Sequence, residues 1–185
     1  MTTELHVALL RGINVGTAKR VAMADLRKMM GDLGYTDVRT VLNSGNVVFR
    51  ASPGAGAGAA ALIEETLVLK LGVAARATVL TAAEFGQIME QNSLLKEGAD
   101  PSRLLVAVLA DPADLSRLHP LLVQQWDLEG LAAGQRAAYL WCPAGVLASR
   151  AAAALGALLG DAVTSRNWST MHKLSALLND SSATA

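Results

Sequence analysis

Cys142 is the only cysteine in 185 residues, so no disulfide can form within the chain. Aromatic residues are few, with three Trp, two Tyr and two Phe, so the core has to be built from aliphatic and small side chains. No apolar run approaches the ~20 residues that a membrane-spanning helix needs. The opening Met1-Thr2-Thr3-Glu4 has no positive region ahead of an apolar stretch, and a signal peptide is not expected. With one thiol and no leader, the expected location is a reducing cytoplasm, with no membrane partner. On that expectation the Asn-x-Ser patterns at Asn167 and Asn179 are chance matches to the glycosylation acceptor. Charge of one sign is also missing overall, with 16 basic and 16 acidic side chains.

The balance is global but not local. Residues 11–50 hold Arg11, Lys19, Arg20, Arg27, Lys28, Arg39 and Arg50 against Asp25, Asp32 and Asp37, an excess of four positive charges. Residues 51–160 hold seven basic and ten acidic side chains. The first third of the chain could therefore attract an anion. The plainer reading is a solvated surface of mixed charge.

Taken in order, residues 5–10 read as a strand buried on both faces, because the run is short and almost continuously apolar. A loop of residues 11–22 follows, longer than the ~4–6 residues usual for a connection. Leu26, Met29, Met30 and Leu33 recur at helical spacing, which predicts a helix over residues 23–33 with Gly34 as its stop. Residues 37–42 and 46–50 read as a hairpin around Ser44-Gly45. Residues 52–58 are rich in Pro, Gly and Ala and read as a loop, followed by a helix to about residue 71 and a strand over 75–80. Thr81-Ala82-Ala83-Glu84 has the form of a capping box and predicts a helix through residue 91.

The same order then recurs. A strand is predicted over 103–109, and a helix from Asp111-Pro112 that Pro120 should end early or kink. A hairpin of residues 126–131 and 135–142, a helix over 146–159, a short strand over 162–164 and a last helix over 168–178 complete the chain. Two βαββαβ units in sequence suggest a duplication. Each unit closes naturally as a four-stranded antiparallel sheet with both helices on one face. The expected organisation is a first subdomain over 1–80, a connecting helix and linker over 81–102, and a second subdomain with the C-terminal helix over 103–185.

In such a unit the first loop and the hairpin turn lie at the same sheet edge. That edge carries Arg11, Asn14, Gly16 and Lys19 from the loop, and Asn43, Ser44, Gly45 and Asn46 from the turn. Arg offers a planar fork of donors, Asn offers donors and an acceptor, and glycine lets backbone approach a ligand. The N-terminus of the following helix adds positive partial charge. Together these groups could hold a phosphate, a carboxylate or a nucleotide edge. The alternative is that the three Asn residues satisfy turn backbone while glycine supplies positive φ. The loop is not a P-loop and does not fit Gly-x-Gly-x-x-Gly.

A second polar knot is Ser165-Arg166-Asn167-Trp168. If the last helix includes Arg166, then Arg166, Thr170 and Lys173 form one stripe. Trp168 could stack on a ring, or plug the packing at a helix start. Asn167 could serve as a helix cap. His6, His119 and His172 are scattered without metal-ligand spacing, and Cys142 reads as a small buried hydrophobe.

Val7-Ala8-Leu9-Leu10-Arg11-Gly12-Ile13-Asn14-Val15-Gly16, Met23-Ala24-Asp25-Leu26-Arg27, Asn43-Ser44-Gly45-Asn46-Val47 and Ser165-Arg166-Asn167-Trp168 resemble DUF1697, a bacterial family of uncharacterised function. The resemblance spans nearly the whole chain. It implies a duplicated ferredoxin-like α+β fold with antiparallel sheets plus a C-terminal helix, and no activity or cofactor. Three functions compete. The first is binding of an anionic, phosphate-bearing small molecule or nucleotide at the Arg11/Asn43 edge, with weak or no nucleic acid binding. The second is an enzyme at that edge, with Lys19, Lys173 or Asp25 as acid or base. The third is a homo-oligomeric interaction domain using an exposed sheet edge.

Overall fold

The central strand of the first sheet, β1 (Glu4–Arg11), is apolar along most of its length because neighbours flank it on both sides and both of its faces are buried. The computed structural model containing it describes residues 3–16, 20–56, 58–96 and 99–183. These residues divide into two compact units, Met1–Phe85 with Lys173–Ala185, and Gly86–His172.

In the first unit β1 is followed by α1 (Met23–Asp32), β2 (Thr36–Val41), β3 (Asn46–Ala51), α2 (Ala59–Thr66) and β4 (Arg76–Thr81). The sheet order is β2-β3-β1-β4, antiparallel throughout. Ala8 and Leu10 of β1, Val47 and Phe49 of β3, Leu26 and Met30 of α1 and Ile63 of α2 share one core. The apolar period of α1 is therefore the imprint of one sheet face. The helix predicted to residue 71 stays α-helical only to Thr66 and finishes as a wider π-turn, Leu67–Leu71, which Gly72 closes at φ 64°. The capping box forms as predicted. Thr81 N donates to Glu84 Oε2 at 2.8 Å and Glu84 N to Thr81 Oγ1 at 3.1 Å, starting α3 (Ala82–Glu90).

The second unit contains β5 (Leu104–Leu109), α4 (His119–Leu122), β6 (Gly130–Ala133), β7 (Ala137–Trp141), α5 (Arg150–Leu159) and β8 (Val163–Asn167). Its sheet order is β6-β7-β5-β8, again antiparallel. Leu105, Ala107 and Leu109 pack with Ala138, Leu140, Ala151, Leu155 and Leu159 in its core. Tyr139 is fully buried and donates its hydroxyl to Ile88 O at 2.7 Å, and burial pushes its phenol up to about 12.

Several expectations shift here for local reasons. Asp111 caps a 3₁₀ turn, Pro112–Leu118, rather than an α-helix. Pro120 does not end a helix but stands in the first turn of α4, where its missing N–H costs nothing. The strand predicted from residue 126 begins only at Gly130. Trp126 instead donates its indole N–H to Leu121 O at 2.9 Å, and Asp127 takes φ 55°. The helix predicted from residue 146 starts at Arg150, after Ser149 accepts a bond from Ala152 N. The short strand predicted over 162–164 runs on to Asn167, and α6 (Trp168–Ala183) follows. Among the described residues no helix is long and apolar enough to cross a membrane.

Candidate functional site

The connection from β1 to α1 is long, but it is pinned at its middle. Ile13 sits in the core of the first unit at 2 % exposure. Its neighbour Asn14 takes φ 54°, a left-handed conformation that Asn tolerates better than most residues. The Asn14 amide is then fully engaged. Its Nδ2 donates to Val21 O at 3.0 Å and to Asn43 O at 2.7 Å, and its Oδ1 accepts from Val21 N at 2.7 Å. One side chain thus closes the loop on itself and ties it to the hairpin turn.

That turn is wider than the two-residue link expected. Val41 pairs with Asn46, leaving residues 42–45 as a four-residue turn with Leu42 at φ 58° and Gly45 at φ 78°. Gly45 O accepts from Leu10 N at 2.8 Å. A Cβ on Gly45 would come within 2.6 Å of Leu10 Cβ, so only glycine lets the turn lie this close to β1. Asn46 is fully buried. Its Nδ2 donates to Val41 O and to Ser44 Oγ, both at 2.9 Å, which braces the turn from within.

Between the braced loop and the turn opens a cleft of about 360 Å³, lined by Asn14, Arg20, Val21, Ala22, Asp25 and Asn43, with Met23 beside them. Its volume is at the small end of the range for ligand sites. The shared edge for loop and turn, expected from topology, is present. The residues at it divide. Asn14 and Asn43 line the cleft, while Arg11, Gly16, Ser44 and Asn46 do not. Arg11 is the last residue of β1, paired in register with Arg76, and it already has a partner within the protein. Lys19 lies outside the described residues.

Arg20 entered the sequence reading only as part of a charge count, yet it lines the cleft. From sequence Asp25 is one of three acids over residues 11–50, part of the Met23–Arg27 motif and a candidate acid or base, but not a residue of the edge. The signal that could have found them is the Ala22-Ala24-Asp25 start of α1. Ala22 is the N-cap residue at φ −70° and ψ 137° and has no side chain that can accept from the first turn. Asp25 stands three residues on, the position Glu84 holds in the capping box of α3. Unlike Glu84, Asp25 makes no hydrogen bond or ion pair among the described residues, and neither does Arg20 nor the Asn43 amide.

Other charges of the first unit are paired. Lys28 and Lys70 both pair with Asp32, at 3.1 and 3.0 Å, and hold its carboxyl below the usual range. Arg39 pairs with Asp37 at 2.9 Å and Arg76 with Glu64 at 3.1 Å. Lys28, Arg39 and Arg50 share Asp32 and Asp37, acids already counted against them, so the excess over residues 11–50 stands after these pairs are formed.

The second knot belongs to the second unit, apart from Lys173, which is exposed on α6 and counted with the first. Arg166 is in β8, opposite Val106, so it does not continue a helical stripe to Thr170 and Lys173. Burial pushes its guanidinium down to about 10. Asn167 is the cap of α6, accepting from Thr170 N at 2.9 Å and Thr170 Oγ1 at 2.8 Å. Trp168 is 3 % exposed and meets His172 edge-on at 5.2 Å, which is the packing reading of that residue. Among the described residues no group of three or more His, Cys, Asp or Glu is placed to hold a metal.

Two compact α+β units with a polar cleft at one sheet edge define the kind of protein this is. The family described as "Protein of unknown function (DUF1697)" matches residues 1–139, and the chain belongs to that family. The match covers the cleft, whereas the Ser165–Trp168 knot lies beyond it. The conserved bacterial protein SP0830 from Streptococcus pneumoniae has a similar solved structure, with a TM-score of 0.76 and 21 % identity over 96 % of this chain and 99 % of that one. At that identity the likeness speaks to the fold alone. No curated protein matches the chain.

Proposed function

We propose that the first unit binds an anionic, phosphate-bearing small molecule or nucleotide in the cleft between the Asn14 loop, the start of α1 and the Asn43 turn. The observation that carries this is the unspent polar chemistry of the cleft. Arg20 and the Asn43 amide line it without a bonding partner among the described residues. A guanidinium beside an amide and the uncapped first turn of α1 is a donor set suited to phosphate oxygens. Asn14 and Asn46 hold the walls rather than the ligand, and Arg11 supports the end of β1. Lys19, Ser44, Gly16, Arg166, Asn167, Trp168 and Lys173 have subordinate parts or none in this reading.

The oligomer reading ranks below it. Edge strand β2 carries a register shift between Thr36 and Arg39, and the Asp37–Arg39 ion pair sits at that shift. Irregularity and charge of this kind discourage strand addition. We also infer that the two units are copies of one ferredoxin-like βαββαβ unit, divided as 1–80 and 103–185 with 81–102 between them. The matching strand orders β2-β3-β1-β4 and β6-β7-β5-β8 support this.

A thermal-melt screen against inorganic phosphate, sugar phosphates and nucleotides tests the binding reading. At least one phosphate ester should raise the midpoint of the wild type, and Arg20→Ala should remove that rise while leaving the unliganded melt within about 0.5 kcal/mol, as for other exposed positions. A screen with no shift would end this reading.

A further inference from the structure

Resting on the cleft reading, we propose that the ligand is a ribonucleoside monophosphate and that Asp25 reads its ribose hydroxyls. A site for a bare anion would not place a carboxylate beside its arginine, because like charges repel. Asp25 nevertheless lines the same cleft as Arg20 and Asn43. An ionised carboxylate only accepts hydrogen bonds. A ligand that satisfies this cleft therefore carries a hydroxyl or amine donor as well as an anionic group.

The position of Asp25 sharpens the choice. It stands at the third residue of α1, where an acidic side chain commonly folds back onto the N-cap backbone N–H. Glu84 does so in the same position of α3, at 2.8 Å from Thr81 N. Asp25 has one methylene fewer and no capping hydroxyl to meet at Ala22, and it makes no such bond among the described residues. Its two oxygens thus stay available at the cleft. A carboxylate with both oxygens free is matched to a vicinal diol, whose two O–H groups donate in parallel. Arg20 then takes the phosphate, and Met23 and Val21 supply apolar wall.

The test is calorimetric titration of the full chain with adenosine, guanosine, cytidine and uridine 5′-monophosphates, their 2′,3′-dideoxy counterparts, and inorganic phosphate. At least one ribonucleotide should bind about tenfold or more tightly than its dideoxy counterpart, the size of a hydrogen bond to a charged group. Asp25→Asn should abolish the difference between ribonucleotide and dideoxy counterpart, and should hold the dideoxy compound at least as tightly as the wild type does, because a charge that repels phosphate is gone. Asp25→Ser, which keeps a good residue for a helix start, should do the same and guards against a fault peculiar to the amide. Equal binding of ribo and dideoxy forms, or no effect of either variant, overturns the role of Asp25 and leaves phosphate binding standing. No binding by any phosphate compound overturns both readings.

Discussion

Asn14 shows how one side chain can carry two readings until its partners are known. As a residue type it offers a ligand two donors and an acceptor. In the folded unit all three directions are used, on Val21 N, Val21 O and Asn43 O. Asn46 is spent in the same way on the turn beneath it. The Asx alternative named from sequence describes both. Its reach of seven and twenty-nine residues was not legible, because the partners are backbone groups whose positions only the fold supplies. Arg20 illustrates the reverse. Nothing in its neighbours distinguishes it from other basic residues of the first third, and only the bent loop brings it to the cleft. Asn14→Ala should therefore act on stability before it acts on binding. It strands Val21 N and removes the tie to the turn, so a urea melt should show a loss of about 1–3 kcal/mol. Asn14→Asp keeps the acceptor for Val21 N but sets a carboxylate oxygen against the carbonyls of Val21 and Asn43, and should not restore the lost stability. A melt of Asn14→Ala indistinguishable from wild type would mean that the loop holds its shape without the brace.

Elements were readable where a pattern repeats and less so where a single contact sets the boundary. The periods of β1 and α1 and the capping box of α3 all came through. The end of β8 did not, since Ser165, Arg166 and Asn167 are polar and strand pairing to β5 overrides their composition. The start of α5 is another such boundary, and it is set from outside the helix. Glu129, just ahead of β6, accepts from Ser149 Oγ at 2.5 Å, Arg150 N at 2.9 Å and Ala151 N at 3.0 Å. Burial alone would raise its carboxyl, but the hydroxyl and the two backbone donors outweigh that and leave it below the usual 4.5. A lowered folded value means that the unfolded chain binds the proton first as pH falls. The stabilisation is present above the unfolded value and is lost as pH drops through the folded one. Glu129→Gln should cost about 1–2 kcal/mol near neutral pH, as charge-assisted bonds at a helix start are lost. Urea melts of both proteins should converge as the pH is lowered past the folded value of Glu129. A difference that persists undiminished in acid would assign the effect to packing instead of charge.

At the scale of the whole molecule the governing fact is how little charge is left over. The chain is formally neutral, with 16 basic and 16 acidic side chains. In the first unit Lys28, Lys70, Arg39, Arg50 and Arg76 each lie within ion-pair distance of an acid, and in the second Arg103, Arg117 and Arg150 do the same. Asp32 and Asp37 each meet two bases, so four cations of the first unit are engaged at two acids. Nucleic acid binding depends on releasing counterions from many phosphates at once, and each contact adds to the salt slope. A formally neutral protein with at least eight of its 16 cations paired to acids has few contacts to offer. In filter binding at physiological salt, duplex DNA and single-stranded RNA should be held no tighter than on the order of 10⁻⁴ M, the weak end of non-specific binding. Raising the salt should weaken even that, with a shallow slope reflecting one or two phosphate contacts rather than a surface. A mononucleotide asks for only one such contact, so the cleft can hold it where a polymer finds no track to follow. Tight nucleic acid binding with a steep salt slope would require a basic surface assembled beyond Arg20 of the cleft, and would move the functional site away from it.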